Sequence, residues 1–177
     1  MTEEAGGLTV EQISALLHAT TQTLRAELQP FGSEAMRWHP AEGEWCINEI
    51  LGHLLEAERR SFAGRIQEIV EQPGRRLVTW DQAQVAQDRR DCERDGHELV
   101  REFEEARNES IHQVEALRPD QLALSGDHPD VGDLRVTDVL HVWLHHDRNH
   151  AKQLFSNVQA YVWPHMGNAQ HFSISEG

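Results

Sequence analysis

Histidine supplies twelve of the 177 residues, an excess that points first to metal ligation and proton transfer, the two tasks imidazole performs best near neutral pH. Two overlapping pairs at i, i+4 stand in one segment, His141 with His145 and His146 with His150. On a helix that spacing stacks two imidazoles one turn apart on a single face, as a metal ion requires. A helical wheel separates the pairs. With His146 at zero, His150 falls at ~40°, Val139 and Asn157 at ~20°, Trp143 at ~60° and Leu154 at ~80°, so this pair continues an apolar stripe. His141 and His145 fall at ~220–260°, beside Asp138, Arg148 and Lys152, and read as solvent-facing. An imidazole buried in a core stripe and left unpaired costs about 1–3 kcal/mol. Separate core partners for each ring are one answer; a shared metal ion answers for both at once.

A third ligand has to come from another helix. His53 stands in Ile-Leu-Gly-His-Leu-Leu with Ile50, Leu54 and Ala57 on its face, and it is the one histidine between residues 47 and 70. Three neutral imidazoles leave a tetrahedral divalent ion one open position, as in catalytic rather than structural sites. That position can activate water or hold a thiolate. The expected cofactor is one divalent metal ion, zinc first, with nickel, iron or manganese as alternatives. Asp147, at ~100° on the wheel, could accept an imidazole N–H from behind the metal or could simply pair with an arginine. Glu49 and Glu56 flank the His53 face. Asp147 and Glu49 are the candidate catalytic carboxylates.

Four segments with helical periodicity would position these groups, and no stretch alternates at period two. The first runs from about Thr9 to Gln29, with Ile13, Leu16, Leu17, Leu24 and Leu28 inward, and Pro30 stops it. Residues Phe31 to Trp45 read as a loop. The second helix runs from about Ile47 to Val70 and ends at Pro73-Gly74, followed by a loop from Arg75 to about Gln87. The third runs from about Asp88 to Leu117, with Leu99, Val100, Phe103, Ile111, Val114 and Leu117 at spacings of three and four. Ser125 to Asp133 has the composition of a loop. The fourth helix runs from about Val136 to Val162, where Pro164 ends it. The fold class is therefore all-α, a four-helix bundle with one longer crossover connection, in which sites are built from facing side chains. One domain over residues 1–177 accommodates it.

Composition narrows the partners. The formal charge is −14, from 16 basic and 30 acidic residues, and no basic stripe offsets it, so nucleic acid is excluded as a partner. No stretch reaches the ~18 consecutive apolar residues of a membrane span. The start, Met-Thr-Glu-Glu-Ala-Gly-Gly, lacks the basic and apolar regions of a signal peptide. Two cysteines, Cys46 and Cys92, make no disulfide framework, and a cytoplasmic location is the expectation.

The residues also carry a family likeness. Glu-Trp-Cys-Ile-Asn-Glu-Ile-Leu-Gly-His-Leu (44–54) and His-His-Asp-Arg-Asn-His-Ala-Lys-Gln-Leu (145–154) resemble the two signature segments of the DinB/YfiT-like bundle superfamily. Thr-Trp-Asp (79–81) and His-Pro-Asp-Val-Gly-Asp-Leu (128–134) resemble its intervening segments, so the likeness covers most of the chain. It implies a bundle, commonly dimeric, with a metal held by one histidine of the second helix and a His-x₃-His pair of the fourth. Those positions are His53, His146 and His150. It further implies roles ranging from thiol-dependent S-transferases and isomerases to metal-dependent hydrolases. Two departures touch the helix starts: Cys46 and Arg135 replace the hydroxyl residues that usually cap the second and fourth helices.

The expected function is that of a metal-dependent enzyme acting on a small molecule, by hydrolysis or by transfer of a low-molecular-weight thiol. A non-catalytic metal-binding stress-response or sensor protein is the alternative. A homodimer is expected, from the likeness and from apolar residues away from the histidines: Leu144 and Phe155 on the fourth helix, Leu51, Phe62 and Ile69 on the second. The large side chains of 161–168 predict a tail folded back onto the bundle, with Trp163 as its anchor.

Overall fold

A computed structural model describes residues 7–174; the acidic start at residues 1–6, on which the signal-peptide expectation rests, and residues 175–177 lie outside it. Helix α1 (Val10–Leu28) opens on a complete capping box. Thr9 Oγ1 accepts from the Gln12 N–H (3.2 Å), and Gln12 Oε1 accepts from the Thr9 N–H (2.9 Å), which satisfies two of the orphan donors at the helix start. Ile13, Leu17, Leu24 and Leu28 are buried, whereas Leu16, expected inward, turns outward at 36% exposure. A short helix α2 (Ser33–Arg37) interrupts the predicted loop 31–45 and buries Met36.

The second bundle helix has three parts: α3 (Ile47–Ala57), a π turn (Glu58–Phe62) and α4 (Ala63–Glu71). Although a thiol is a poor cap, α3 starts at the expected residue because Glu49 Oε2 accepts the Cys46 N–H from inside the first turn (2.8 Å). The π turn inserts the equivalent of one extra residue, with the Ala63 N–H reaching back to Glu58 O. Gly64 makes room for it: a Cβ there would lie 2.1 Å from the Arg59 carbonyl oxygen. The extra residue turns Glu58, Ser61 and Phe62 all inward.

The third helix differs from its predicted bounds. Helix α5 (Gln82–Arg89), capped by Asp81 Oδ1 on the Gln84 N–H (3.0 Å), occupies part of the predicted loop. Arg90 then adopts left-handed φ 51°, a 3₁₀ turn covers Asp91–Glu93, and Asp95 caps a new helix, α6 (Gly96–Glu115). The periodic stretch from Asp88 is thus two helices. The region read as a loop at 125–133 is mostly an antiparallel hairpin, β1 (Ser125–His128) with β2 (Gly132–Arg135), in the register Gly126↔Leu134. Its strands are four residues long and carry facing aspartates, Asp127 and Asp133, so no apolar alternation marks them. Segment 74–77 bonds to β1, with the Leu77 N–H donating to Asp127 O (2.9 Å). Helix α7 (Val136–Val162) follows directly, its start held by Asp138 Oδ2 on the Arg135 N–H (3.1 Å).

Around the bundle the order is α1, α6, the α3–α4 helix and α7, which places α1 diagonally opposite the second helix. The core has two apolar halves. One gathers Ile13, Leu17, Ile66, Ile69, Val114, Val139 and Trp143; the other gathers Leu24, Leu28, Ile50, Leu54, Leu99, Phe103 and Leu154. Leu51, Phe62 and Ile69, expected to be left over for a partner, are buried within these halves. At the far end Tyr161, rather than the 36%-exposed Trp163, anchors the tail, edge-on to Trp38 (5.5 Å) and Phe31 (6.3 Å). Helix α8 (Gln170–Ile174) closes the described chain. No helix of the described residues is long and apolar enough to cross a membrane.

Candidate metal centre

Helix α3 delivers His53 and helix α7 delivers His146 and His150 to one point between the two core halves. The Nε2 atoms of His53 and His146 are 3.0 Å apart. One nitrogen from each of the three rings lies within 4.8 Å of one from each other ring. Ring centroids are 4.5 Å apart for His53 and His150 and 4.4 Å for His146 and His150. Aromatic rings enclose the cluster: Trp45 lies 5.1 Å from His53 and stacks on His150 at 6.3 Å, Phe62 meets His146 edge-on at 5.1 Å, and Trp80 stacks on His53 at 6.3 Å.

This enclosure keeps the rings neutral. Burial first, then the neighbouring His150, lowers the His53 pKa to about 4. Burial, with His150 and His53 adding to it, lowers that of His146 to about 3. Burial also lowers His150, against the opposing hydrogen bond to Gln153. His150 Nδ1–H donates to Gln153 Oε1 (2.9 Å), which leaves Nε2 with a free lone pair. The Nδ1 of His146 is buried and has no hydrogen-bond partner among the described residues.

A divalent cation fits these residues. Neutral imidazoles are the protonation state that ligates, and tetrahedral metal–nitrogen bonds place ligand nitrogens ~3.3 Å apart, close to the observed 3.0 Å pair. The other histidines of α7 are used elsewhere. His141 accepts the Leu8 N–H at Nε2 (3.0 Å) and bonds Thr137 O through Nδ1 (2.7 Å), while His145 is exposed.

The two candidate carboxylates are engaged away from the cluster. Asp147, 1% exposed, gives both oxygens to Arg107 (2.6 and 3.0 Å) instead of to an imidazole N–H. Glu49 caps α3 and pairs with His39 Nε2 (3.0 Å), at the rim of the cleft above His53. Sequence reasoning missed what lies around them. Arg107 is fully buried and also bonds Glu58 (2.9 Å), whose other oxygen accepts the Trp143 indole N–H (3.2 Å). This polar layer backs the histidines. Its signal was an arginine on an apolar stripe, four residues after Phe103 and four before Ile111.

A cleft of about 270 Å³ opens over His53 between α3 and α5. Its wall carries Glu49, Glu56 and Asp91 against one guanidinium, Arg89. Arg89 is held by Asp91 (2.6 and 2.8 Å) and by Glu56 (2.7 Å). Burial disfavours the Glu56 charge, but Arg60 and Arg89 outweigh it and keep the carboxylate below its ordinary range. Gly52 permits the wall to close, since a Cβ there would stand 1.8 Å from Asp91 Oδ2.

The sequence matches a family model described as the DinB superfamily over residues 16–154. Among solved structures the chain is similar to YfiT from Bacillus subtilis, with a TM-score of 0.80 and 13% identity, over 92% of this chain and 93% of that one. That protein is described as "a probable metal-dependent hydrolase with an unusual four-helix bundle topology". The chain is also similar to TT2238, described as a four-helix bundle protein, with a TM-score of 0.60 and 19% identity, over 84% of this chain and 99% of that one. No curated protein matches the sequence at a significant level.

Proposed function

From the premise that this chain belongs to the DinB superfamily, we propose that it is a metal-dependent hydrolase of small neutral or cationic molecules, with His53, His146 and His150 as the ligands. The observation that carries this reading is the set of three neutral imidazoles at the floor of an acidic cleft. A divalent ion held there would supply Lewis-acid polarisation of a substrate carbonyl or phosphoryl oxygen at its remaining position. The chain's own residues do the rest. Trp45, Trp80 and Phe62 shield the cluster from bulk water, which strengthens every electrostatic interaction inside it. Gln153 fixes the tautomer of His150.

The cleft wall favours hydrolysis over thiol transfer. An anionic low-molecular-weight thiol needs an available cation, and Arg89 is already taken by two carboxylates. YfiT, described as a metal-dependent hydrolase, shares the fold and supports the same class. The test is an untagged preparation loaded in turn with zinc, nickel, iron and manganese. It is assayed on neutral, cationic and anionic esters and amides, and with low-molecular-weight thiols plus an electrophilic acceptor. Hydrolysis of neutral or cationic substrates, lost in His150→Gln, is expected. Thiol transfer without hydrolysis would make the protein a transferase; tight metal binding without either reaction would make it a binding protein.

We also propose a homodimer, supported by Phe155 and Val162, which lie ~20° apart on α7 and are 38% and 46% exposed. Light scattering that returns a monomer at tens of micromolar would remove it.

A further inference from the structure

The two cysteines lie far apart in sequence and outside the histidine cluster, yet the fold brings them together. Cys46 precedes α3, and Cys92 sits in the 3₁₀ turn 91–93. Their sulfurs, a nitrogen of His39 and a carboxylate oxygen of Glu49 all lie within 4.8 Å of one another. Within this group His39 Nε2 is 3.0 Å from Glu49 Oε2 and 3.9 Å from Cys92 Sγ. We propose that His39, Cys46, Glu49 and Cys92 form a second divalent-metal site, selective for zinc and structural in role.

The donor set argues for zinc. Two thiols, an imidazole and a carboxylate are ligands that zinc accepts together, and thiolates discriminate against magnesium and calcium. Distances agree. Zinc bonds of ~2.0–2.3 Å in a tetrahedron place ligand atoms ~3.3–3.8 Å apart, so the group closes onto an ion with shifts of about an ångström or less. Four protein ligands fill the coordination sphere and leave no position for a substrate, which is what separates structural from catalytic zinc. On binding, the two thiols release their protons to solvent, and two thiolates with one carboxylate outweigh the ion's charge by one.

The surroundings are already held in place without the ion. Arg37 donates to Glu93 O and Arg94 O (3.0 Å each), and Asn48 Nδ2 donates to Arg94 O (3.0 Å). The turn bearing Cys92 is thereby pinned to the start of α3, where Cys46 is fully buried. The His39 side chain is 44% exposed, which leaves a path from solvent. An ion here would fasten the 91–93 turn to α3. Asp91 and Arg89 would be fixed with it, and they form the cleft wall beside Gly52. A Cys46–Cys92 disulfide is the rival; it would use two of the four groups and leave His39 and Glu49 as a surface ion pair.

Cobalt(II) titration of the reduced, untagged full chain decides between them. We expect two equivalents bound, one of them giving the near-ultraviolet charge-transfer band that only thiolate ligation produces. Cys92→Ser and His39→Gln, at positions exposed enough to spare the fold, should each abolish that band while one equivalent still binds. His146→Gln should do the reverse and keep the band, so the outcome does not depend on the histidine site or its activity. Far-UV circular dichroism checks that each variant is folded. Absence of the band in the wild type, or its persistence in Cys92→Ser, would overturn the proposal. So would a two-hydrogen mass deficit in protein isolated without oxidant, with cobalt excluded from the sulfurs.

Discussion

Replacing Arg107 with methionine should remove a large part of the protein's stability. The guanidinium has no exposed surface, and its partners Glu58 and Asp147 are each 1% exposed. It makes bonds of 2.6 and 3.0 Å to Asp147 and 2.9 Å to Glu58, and it lies 4.8 Å from the Phe103 ring and 5.3 Å from the Trp143 ring. Methionine keeps the apolar stem but strands two carboxylates between the core halves. Breaking a buried pair from one side costs about 3–5 kcal/mol, against a total stability of about 5–15 kcal/mol for a domain. With a urea m-value of about 2 kcal/mol per molar, the midpoint should fall by roughly 1.5–2.5 M, measured by circular dichroism with chelator present. Burial pushes the Glu58 pKa up even though Arg107 opposes it, so Glu58 is the carboxylate that takes up a proton first when the arginine goes. The companion variant, Arg107→Met with Glu58→Leu and Asp147→Leu, removes all three charges and should recover most of the loss. It should still fall about 1–3 kcal/mol short, because the Trp143 N–H loses its acceptor. If Arg107→Met costs less than about 1 kcal/mol, or the triple variant is no better than the single, the layer does not hold the halves together as reasoned.

His53→Ala, His146→Ala and His150→Ala should each abolish the metal equivalent that gives no thiolate band, whereas His145→Ala, at an exposed position, should leave it; elemental analysis after dialysis reads both. Gly52→Ala should displace Asp91, whose carboxylate a Cβ would meet at 1.8 Å, and should lower turnover while the metal equivalent at the histidines survives. Retained activity would mean that the cleft wall is not part of the site. In the metal-free protein, His53 and His146 titrate near 4 and 3 when folded but near 6.5 when unfolded. Below pH 6.5 the unfolded chain therefore binds more protons, so stability is full above 6.5 and declines as pH falls toward those values. The same melting series on His53→Gln/His146→Gln should show a shallower decline, and an equal slope would contradict neutral buried rings.

The four helices and the convergence of His53, His146 and His150 were legible because both depend on a repeating physical signal. Long apolar stripes at a period of 3.6 residues name the inward face, and His146 and His150 fall on that stripe. Three features had weaker signals. The hairpin at 125–135 is too short and too polar to alternate, and its pairing with segment 74–77 is non-local. The break before α6 depends on one left-handed residue, Arg90, a conformation that arginine's chemistry does not announce. The buried arginine layer was readable in part, since Glu58 follows Leu54 by four and Arg107 follows Phe103 by four. What the pattern could not tell is which acid would meet which base. The wheel also assumed one straight second helix and so put Phe62 opposite His53, where the π turn instead brings Phe62 within 5.1 Å of His146.

That turn also decides which inherited changes this helix can absorb. An exchanged side chain between Glu58 and Phe62 alters one contact. Losing a single residue there would let the helix relax into an unbroken α spiral and swing everything after it by ~100°. Ile66 and Ile69, now fully buried, would leave the core together, while His53 kept its place upstream. The segment should therefore tolerate spelling changes and refuse deletions: its length, more than its composition, is what holds the histidine half and the apolar half of one helix in step.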